Sequence, residues 1–270
     1  NCIRNVTADH FAGVAADEVE DPRPTAELMR QWSSLHPEFS FLPRKFKIAI
    51  TGAQHDRAAI KAHDIGIRIL RHPQSGDTGY EISVGGGLGR TPMIGKTIRD
   101  FLPKADLLPY LEALMRVYNA EGRRDNKYKA RVKILVHEIG IEPMRAAVEA
   151  EFAATNRDAV APDPAEITRI EQAFAPPAYK HLPDESTYLT RHSTSNAEFA
   201  QWVAVNTFGH KQPGYSAITV SLKPIGGAPG DATSDQMRAL ADAADAFSFS
   251  ELRVTHHQNI VLPNVKKDDL

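Results

Sequence analysis

The residues best suited to chemistry lie in one short stretch, residues 41–52, with the sequence FLPRKFKIAITG. From Phe46 onward, apolar and polar side chains alternate until Thr51-Gly52, which predicts a half-buried strand. Lys45 and Lys47 are two residues apart, so their side chains leave the same face of the sheet. Two like charges on one face repel each other, and a bound anion would turn that repulsion into attraction. The stretch indicates either an anion site or a solvated sheet face that carries lysines.

A glycine-rich loop, residues 85–89, follows a predicted strand at residues 80–84, and Lys96 comes shortly after it. A Walker A loop has four residues before its Gly-Lys-Thr, but five separate Gly89 from Gly95. The dinucleotide fingerprint also fails, because Pro92 stands where its third glycine belongs. Glycines let backbone N–H groups approach a negative or planar ligand closely. We expect either such a contact or a plain turn with a solvated lysine.

The composition excludes several classes of protein. The chain has 270 residues, of which 42% are hydrophobic and 24% charged, as in an ordinary globular protein. The net charge of −2 predicts neither a nucleic acid nor a membrane as partner, and no apolar run approaches the roughly 20 residues of a membrane span. The single cysteine, Cys2, excludes an internal disulfide framework and favours a reducing compartment, so we expect a cytoplasmic protein. His137-Glu138 lacks the second histidine of a zinc motif, so no metal site is predicted.

The order of the elements predicts an α+β protein. Strand patterns at residues 46–51, 65–70 and 80–84, separated by short helical stretches, predict a mixed α/β sheet domain at residues 1–155. Prolines predict a linker at residues 156–188. A strand, helix, strand and strand between residues 218 and 262 predict half of a ferredoxin-like unit, within a domain at residues 189–270.

Leu42-Pro43-Arg44-Lys45-Phe46-Lys47 resembles the LPRKFK signature of the sulfite reductase hemoproteins, the sirohaem and iron–sulfur enzymes of assimilatory sulfite and nitrite reduction. Four further segments are similar to the same family in the same order. They are residues 3–6, residues 84–88 with Gly95-Lys96 behind them, residues 123–133 and residues 255–260. The resemblance implies a mixed α/β sheet domain of the sirohaem reductase type, followed by a ferredoxin-like half domain.

The resemblance also implies roles for individual residues. Arg4, Lys45 and Lys47 match the residues that surround the anion on the distal side of the sirohaem iron, and they are the catalytic candidates. The candidates for sirohaem contact are Arg44, Gly86, Gly87, Lys96, Gln258 and Asn259. We assign no role to His256 or His257, where the family usually has Asn or Ala. The nitrite-reducing branch often has Asn where Lys47 stands, which favours sulfite, with nitrite as the alternative.

The cofactors and partners follow from the same resemblance. We expect the intact protein to hold sirohaem and a [4Fe–4S] cluster, to reduce sulfite or nitrite, and to accept electrons from a flavoprotein or ferredoxin. A cluster held by thiolates needs about four cysteines, so this chain, with one, cannot ligate it alone. We therefore expect a central fragment that is inactive by itself. The rival interpretation is a non-catalytic module that binds an anion or a tetrapyrrole without turnover.

The basic run at residues 123–133, RRDNKYKARVK, carries six cations in eleven residues. We expect it to be a solvated helix face. The alternatives are that it faces the haem carboxylates or an electron-donor protein.

Overall fold

The structure is a computed structural model that describes residues 2–270. The backbone divides into two compact units. The first consists of Val19–Ala175 together with the residues up to Ala8, and the second of Asp9–Glu18 together with Pro176–Leu270. The domain boundaries at residues 155 and 188 stay a prediction. No helix within residues 2–270 is long and apolar enough to cross a bilayer.

The first unit is built on a five-stranded mixed sheet. Its strands are β1 (Ile3–Thr7), β2 (Phe46–Thr51), β3 (Ile65–Arg71), β4 (Thr78–Val84) and β5 (Lys96–Pro103). They lie side by side in chain order; β1, β2 and β3 are parallel, and β4 and β5 are antiparallel to their neighbours. The predicted mixed sheet is therefore confirmed. Strands β1 and β5 were not predicted, because β1 is short and largely polar, β5 carries three charged residues, and neither shows enough apolar alternation to be recognised.

Helices cover the sheet of the first unit. They are α1 (Arg23–Ser33), α2 (Leu107–Glu121), α3 (Val132–Ile139), α4 (Ile141–Ala154), α5 (Arg157–Val160) and α6 (Pro164–Ala173). Helix α2 is buried along almost its whole length, and its Tyr110 and Tyr118 have no exposed surface. A helix that is apolar on nearly all sides belongs in a core. Its side chains and those of β2 to β4 form one continuous hydrophobic cluster.

The second unit combines a four-stranded sheet with three helices. Its elements are α7 (Thr187–Ser195), α8 (Ala197–Asn206), β6 (Thr207–Gly209), β7 (Tyr215–Ser221), α9 (Ser234–Phe247), β8 (Arg253–Val254) and β9 (Asn259–Lys266). The strand order is β6-β7-β9-β8. Helix α9 begins with a capping box in which Thr233 and Gln236 bond each other's backbone N–H. Helices α7 and α8 were not predicted, because no residue in either is buried and their periodicity is weak.

The expected helix at residues 123–131 is wrong, although most of the run up to Lys129 is exposed to solvent as predicted. Gly122 ends α2, the chain runs as a loop as far as Arg131, and helix α3 begins only at Val132. The buried hydroxyl of Tyr118 donates a hydrogen bond of 2.8 Å to the carbonyl oxygen of Ala130. This bond draws the end of the loop onto the core, so that the last cations of the run turn inward.

We predict that Tyr118→Phe lowers the free energy of unfolding by about 1–3 kcal/mol, because it leaves the buried carbonyl of Ala130 without its donor. Urea denaturation followed by circular dichroism measures the change. Tyr128→Phe is the matched control, since Tyr128 lies in the same loop and is 79% exposed. Equal stability of the two variants would show that the Tyr118 bond does not hold the loop.

Candidate functional site

Arg4 occupies a bulge in β1. Ile3 lies opposite Phe46 and Asn5 lies opposite Lys47, so Arg4 is an extra residue on its strand. A bulge interrupts the regular pairing and redirects a side chain, and bulges are frequent beside active sites. The side chain of Arg4 is exposed. The local irregularity of β1 therefore lies at an exposed arginine, next to the pairing of Asn5 with Lys47.

Lys45 and Lys47 lie on one face at the start of β2, as the alternation predicted. Both are half-buried, while Phe46 between them and Ile48 after them are fully buried on the other side. The pKa of Lys45 is lowered, first by the charge of Lys47 and then by burial and by the charges of Arg4, Arg131 and Arg44. The structure thus brings Arg4, Lys45 and Lys47 into one field of positive charge.

The side chains of these cations form no ion pair among residues 2–270. In the part of the chain that the structure describes, no carboxylate forms an ion pair with Arg4, Lys45 or Lys47. Most arginines of the first unit, in contrast, pair with Asp or Glu, as Arg99 does with Glu149 at 2.9 Å. Cations without an ion-pair partner, whose charges lower the pKa of Lys45, are of the kind that a nearby anion stabilises.

A buried carboxylate lies behind this cluster. Asp64 has no exposed surface, and its Oδ2 accepts a hydrogen bond of 3.0 Å from the backbone N–H of Lys47. Its Oδ1 accepts bonds from Nε and Nη2 of Arg131, at 3.2 and 2.7 Å. Burial raises the pKa of Asp64, and the Arg131 guanidinium opposes that rise. Neither residue was among the candidates, although Asp64 directly precedes a buried strand, which is an unusual position for a carboxylate.

The glycine loop is closely packed by the protein's own groups. A Cβ on Gly86 would lie 2.2 Å from the carbonyl oxygen of Lys61 and 2.5 Å from that of His63. A Cβ on Gly87 would lie 2.7 Å from Nη2 of Arg131. These two glycines therefore allow other parts of the chain to pack closely against the loop. The sequence pattern alone did not distinguish this role from contact with a ligand. Their contact with sirohaem stays a prediction.

Two cations from the basic run hold the rim of the same loop. Lys133 is almost fully buried, and its Nζ donates to the carbonyl oxygens of Leu88, at 3.2 Å, and Thr91. Burial lowers the pKa of Lys133. Arg131 also donates to the Leu88 carbonyl, at 3.4 Å. Lys96, by comparison, is exposed at the start of β5.

Gln258 and Asn259 belong to the second unit, where they end the turn between β8 and β9. The Oγ1 of Thr255 accepts bonds from the backbone N–H groups of His257 and Asn259 and so shapes the turn. Gln258 is exposed and has a φ of 61°, a left-handed conformation uncommon for a non-glycine residue. The Oδ1 of Asn259 accepts a bond of 2.6 Å from Nζ of Lys223. The amide oxygen of Asn259 thus has a structural partner, and its amide nitrogen is the group left for a ligand.

We predict that Gly86→Ala destabilises the first unit by about 1–3 kcal/mol, because the new methyl group meets backbone oxygens that cannot rotate away. Thermal unfolding measures the loss. Gly209→Ala is the control: its Cβ would meet only the Cβ of Ala16, at 3.8 Å. A Gly86→Ala protein as stable as the control would mean that the loop has room to spare and could admit a ligand there.

Comparison with known proteins identifies the family of the chain. A family model described as "Nitrite and sulphite reductase 4Fe-4S domain" matches residues 1–155, and one described as "Nitrite/Sulfite reductase ferredoxin-like half domain" matches residues 209–270. The chain is 34% identical, over 99% of its length, to "Sulfite reductase [ferredoxin] 1" of Mycolicibacterium paratuberculosis. It is 28% identical, over 98% of its length, to "Ferredoxin--nitrite reductase, chloroplastic" of Arabidopsis thaliana.

A solved structure, that of the Mycobacterium tuberculosis NirA protein, matches 98% of the chain with a TM-score of 0.69 and 26% identity. The chain spans 41% of that protein, and 41% and 40% of the two relatives. The second family model confirms the predicted ferredoxin-like half domain. The first covers more than half of the chain and includes the cation cluster. The chain belongs to the nitrite and sulphite reductase family.

Proposed function

We propose that this chain is the substrate-side, sirohaem-contacting part of an assimilatory sulfite reductase, which reduces sulfite to sulfide with six electrons. The observation that carries the proposal is the cluster of Arg4, Lys45 and Lys47, which lacks ion-pair partners among residues 2–270 and suits a small oxyanion. The similarity to the sulfite reductase of M. paratuberculosis supports sulfite as the substrate. The names of both relatives indicate ferredoxin as the electron donor.

The residues present fit one of the two expected cofactors. Sirohaem carries many carboxylates, and in the first unit the exposed Lys96 and the half-buried Arg44 are donors of the type that such a ligand needs. In the second unit, the contact of Gln258 and Asn259 with sirohaem stays a prediction. A [4Fe–4S] cluster needs thiolates, and the one cysteine, Cys2, does not meet that need. We propose that this chain alone binds no cluster and does not turn over. Its single cysteine is consistent with a reducing compartment such as the cytoplasm.

Bound sirohaem would supply the electrons to the sulfur atom, and the cations of this chain would handle charge and protons. Each of the three oxygens of sulfite leaves as water, which requires two protons for each oxygen. The guanidinium of Arg4 would hold the anion by charge and hydrogen bonds. Lys45 has a lowered pKa, so its Nζ releases a proton more readily than an ordinary lysine does. Positive charge around the anion also polarises the S–O bonds that break.

We predict that Lys47→Met raises the pKa of Lys45, because the charge of Lys47 is the largest cause that lowers it. A lysine is charged below its pKa and neutral above it, so Lys45 should keep its charge to higher pH in the variant. NMR titration of the Lys45 side chain measures this pKa. Lys127→Met, in the exposed basic loop, is the control and should leave it unchanged. An unchanged pKa in Lys47→Met would show that the two lysines do not share a site.

The direct test uses the intact reductase that contains this chain. We expect Arg4→Ala, Lys45→Ala and Lys47→Ala each to lower sulfite reduction by about 100-fold or more, as loss of a charge-stabilising donor does. The visible spectrum of bound sirohaem should persist in all three. Lys127→Ala is the control and should keep full activity. Wild-type sulfite reduction in the three variants would contradict the assignment, and sirohaem binding without turnover by the wild type would favour the non-catalytic interpretation.

Nitrite is the second candidate substrate, supported by the similarity to the Arabidopsis nitrite reductase. The two substrates differ in size and charge, so the ratio of kcat/KM values for sulfite and nitrite distinguishes them. Lys47→Asn should move that ratio towards nitrite if Lys47 selects the more highly charged anion. An unchanged ratio would show that selection lies with other residues.

A further inference from the structure

We propose that Asp64, through its pair with Arg131, is a positioning residue that holds β2 and the glycine loop in their relative positions. In this way it sets the affinity of the cation cluster for its anion. This inference rests on the proposed function, because it assumes that Lys45 and Lys47 bind the anion. Within residues 2–270, the hydrogen bond that joins the Asp64 side chain to the cation cluster comes from the backbone N–H of Lys47 and from no cationic side chain of the cluster. It would therefore act by fixing the position of the backbone from which the lysine side chains extend.

The bonds of Asp64 join the two parts of the site. Its side chain accepts from the N–H of Lys47, in β2. Its backbone carbonyl accepts a bond of 3.0 Å from the N–H of Gly85, where the glycine loop begins. The following residue, Ile65, lies opposite Ile48 on one side and Val84 on the other. One buried residue, Asp64, is thus hydrogen-bonded both to the start of β2 and to the start of the glycine loop.

Arg131 extends the connection across the loop. Its guanidinium bonds the Asp64 carboxylate on one side and lies against Gly87, where a Cβ would come within 2.7 to 2.9 Å of it. It also reaches the Leu88 carbonyl. Its side chain is only 17% exposed, and the pair distance is 2.7 Å. The planar guanidinium, with several donors in a fixed geometry, can keep these contacts at the same time, which a lysine ammonium at the end of a flexible stem cannot do.

The ion pair of Asp64 and Arg131 is better explained by the positions it gives to hydrogen-bond donors than by a gain in stability. A buried ion pair contributes little more to stability than apolar residues of the same volume would, because both charges must be removed from water. Its carboxylate does, however, fix the direction of three donors. The negative charge of Asp64 also opposes anion binding nearby. Charge and position therefore predict opposite effects for Asp64→Asn, which keeps the shape of the side chain and removes its charge.

The experiment measures the sulfite dissociation constant of the sirohaem-loaded intact protein by visible titration, at one pH and ionic strength. If Asp64 positions the site, Asp64→Asn and Arg131→Gln should each weaken sulfite binding by about 10- to 100-fold, as small misplacements of binding groups do. Amide hydrogen exchange should become faster at Lys47 and at residues 85–88 in both variants. If Asp64 acts only by its charge, Asp64→Asn should bind sulfite more tightly, and the inference fails.

Controls separate this inference from the proposed function and from general loss of stability. Glu149→Gln breaks a different ion pair of the same unit, that of Glu149 with Arg99, and should leave sulfite affinity unchanged. Unchanged affinity in Lys45→Ala/Lys47→Ala would overturn the proposed function itself. Reduced affinity there, with wild-type affinity in Asp64→Asn, would overturn only the positioning role. If Asp64→Asn does not fold, Arg131→Lys keeps the charge with fewer directed donors and should weaken sulfite binding; wild-type affinity in that variant would overturn the inference.

Discussion

The carboxylate of Asp64 has no contact with water, so it must find its hydrogen-bond partners within the protein. The partners are the N–H of Lys47 and the guanidinium of Arg131. These bonds require β2, the start of β3 and the end of the basic loop to meet at one point. The glycines of the adjoining loop satisfy the same requirement, because a side chain on Gly87 would displace the guanidinium. The geometry of the first unit around its cations depends on this one buried charge.

Repulsion among the cations is tolerated because the opposite side of β2 is strongly anchored. Phe46 and Ile48 are fully buried in the main hydrophobic cluster, where Phe46 packs against Tyr118 at a ring-centroid distance of 5.3 Å. Burial of side chains of this size contributes about 1.5–3 kcal/mol each. Repulsion between like charges that are partly exposed to water is weakened, since the solvent screens them. The core therefore holds Lys45 and Lys47 on one face of the sheet despite their repulsion.

The glycine loop shows how one sequence pattern can serve several purposes. Residues 85–89 are compatible with a nucleotide loop, a cofactor contact or a tight turn, and spacing excludes only the first. In the folded chain, Gly86 admits the carbonyl oxygens of Lys61 and His63, and Gly87 admits Arg131. Arg131 and Lys133 come from a run whose charge suggested a solvated face. Composition predicts that a cation is costly to bury, but it cannot show that carbonyl oxygens or a carboxylate are present to receive it.

The sequence by itself determined the mixed sheet, the position of β2, the shared face of Lys45 and Lys47, and the family to which the LPRKFK signature belongs. These features depend on local periodicity and short motifs, and both are formed by residues that are close together in the sequence. Only the tertiary structure decided the bulge at Arg4, the inward turn of Arg131 and Lys133, and the burial of Asp64 behind Lys47. Asp64 and Arg131 are 67 residues apart in sequence. A contact of that range has no local signal, because it arises only when the whole sheet and α2 have been packed together.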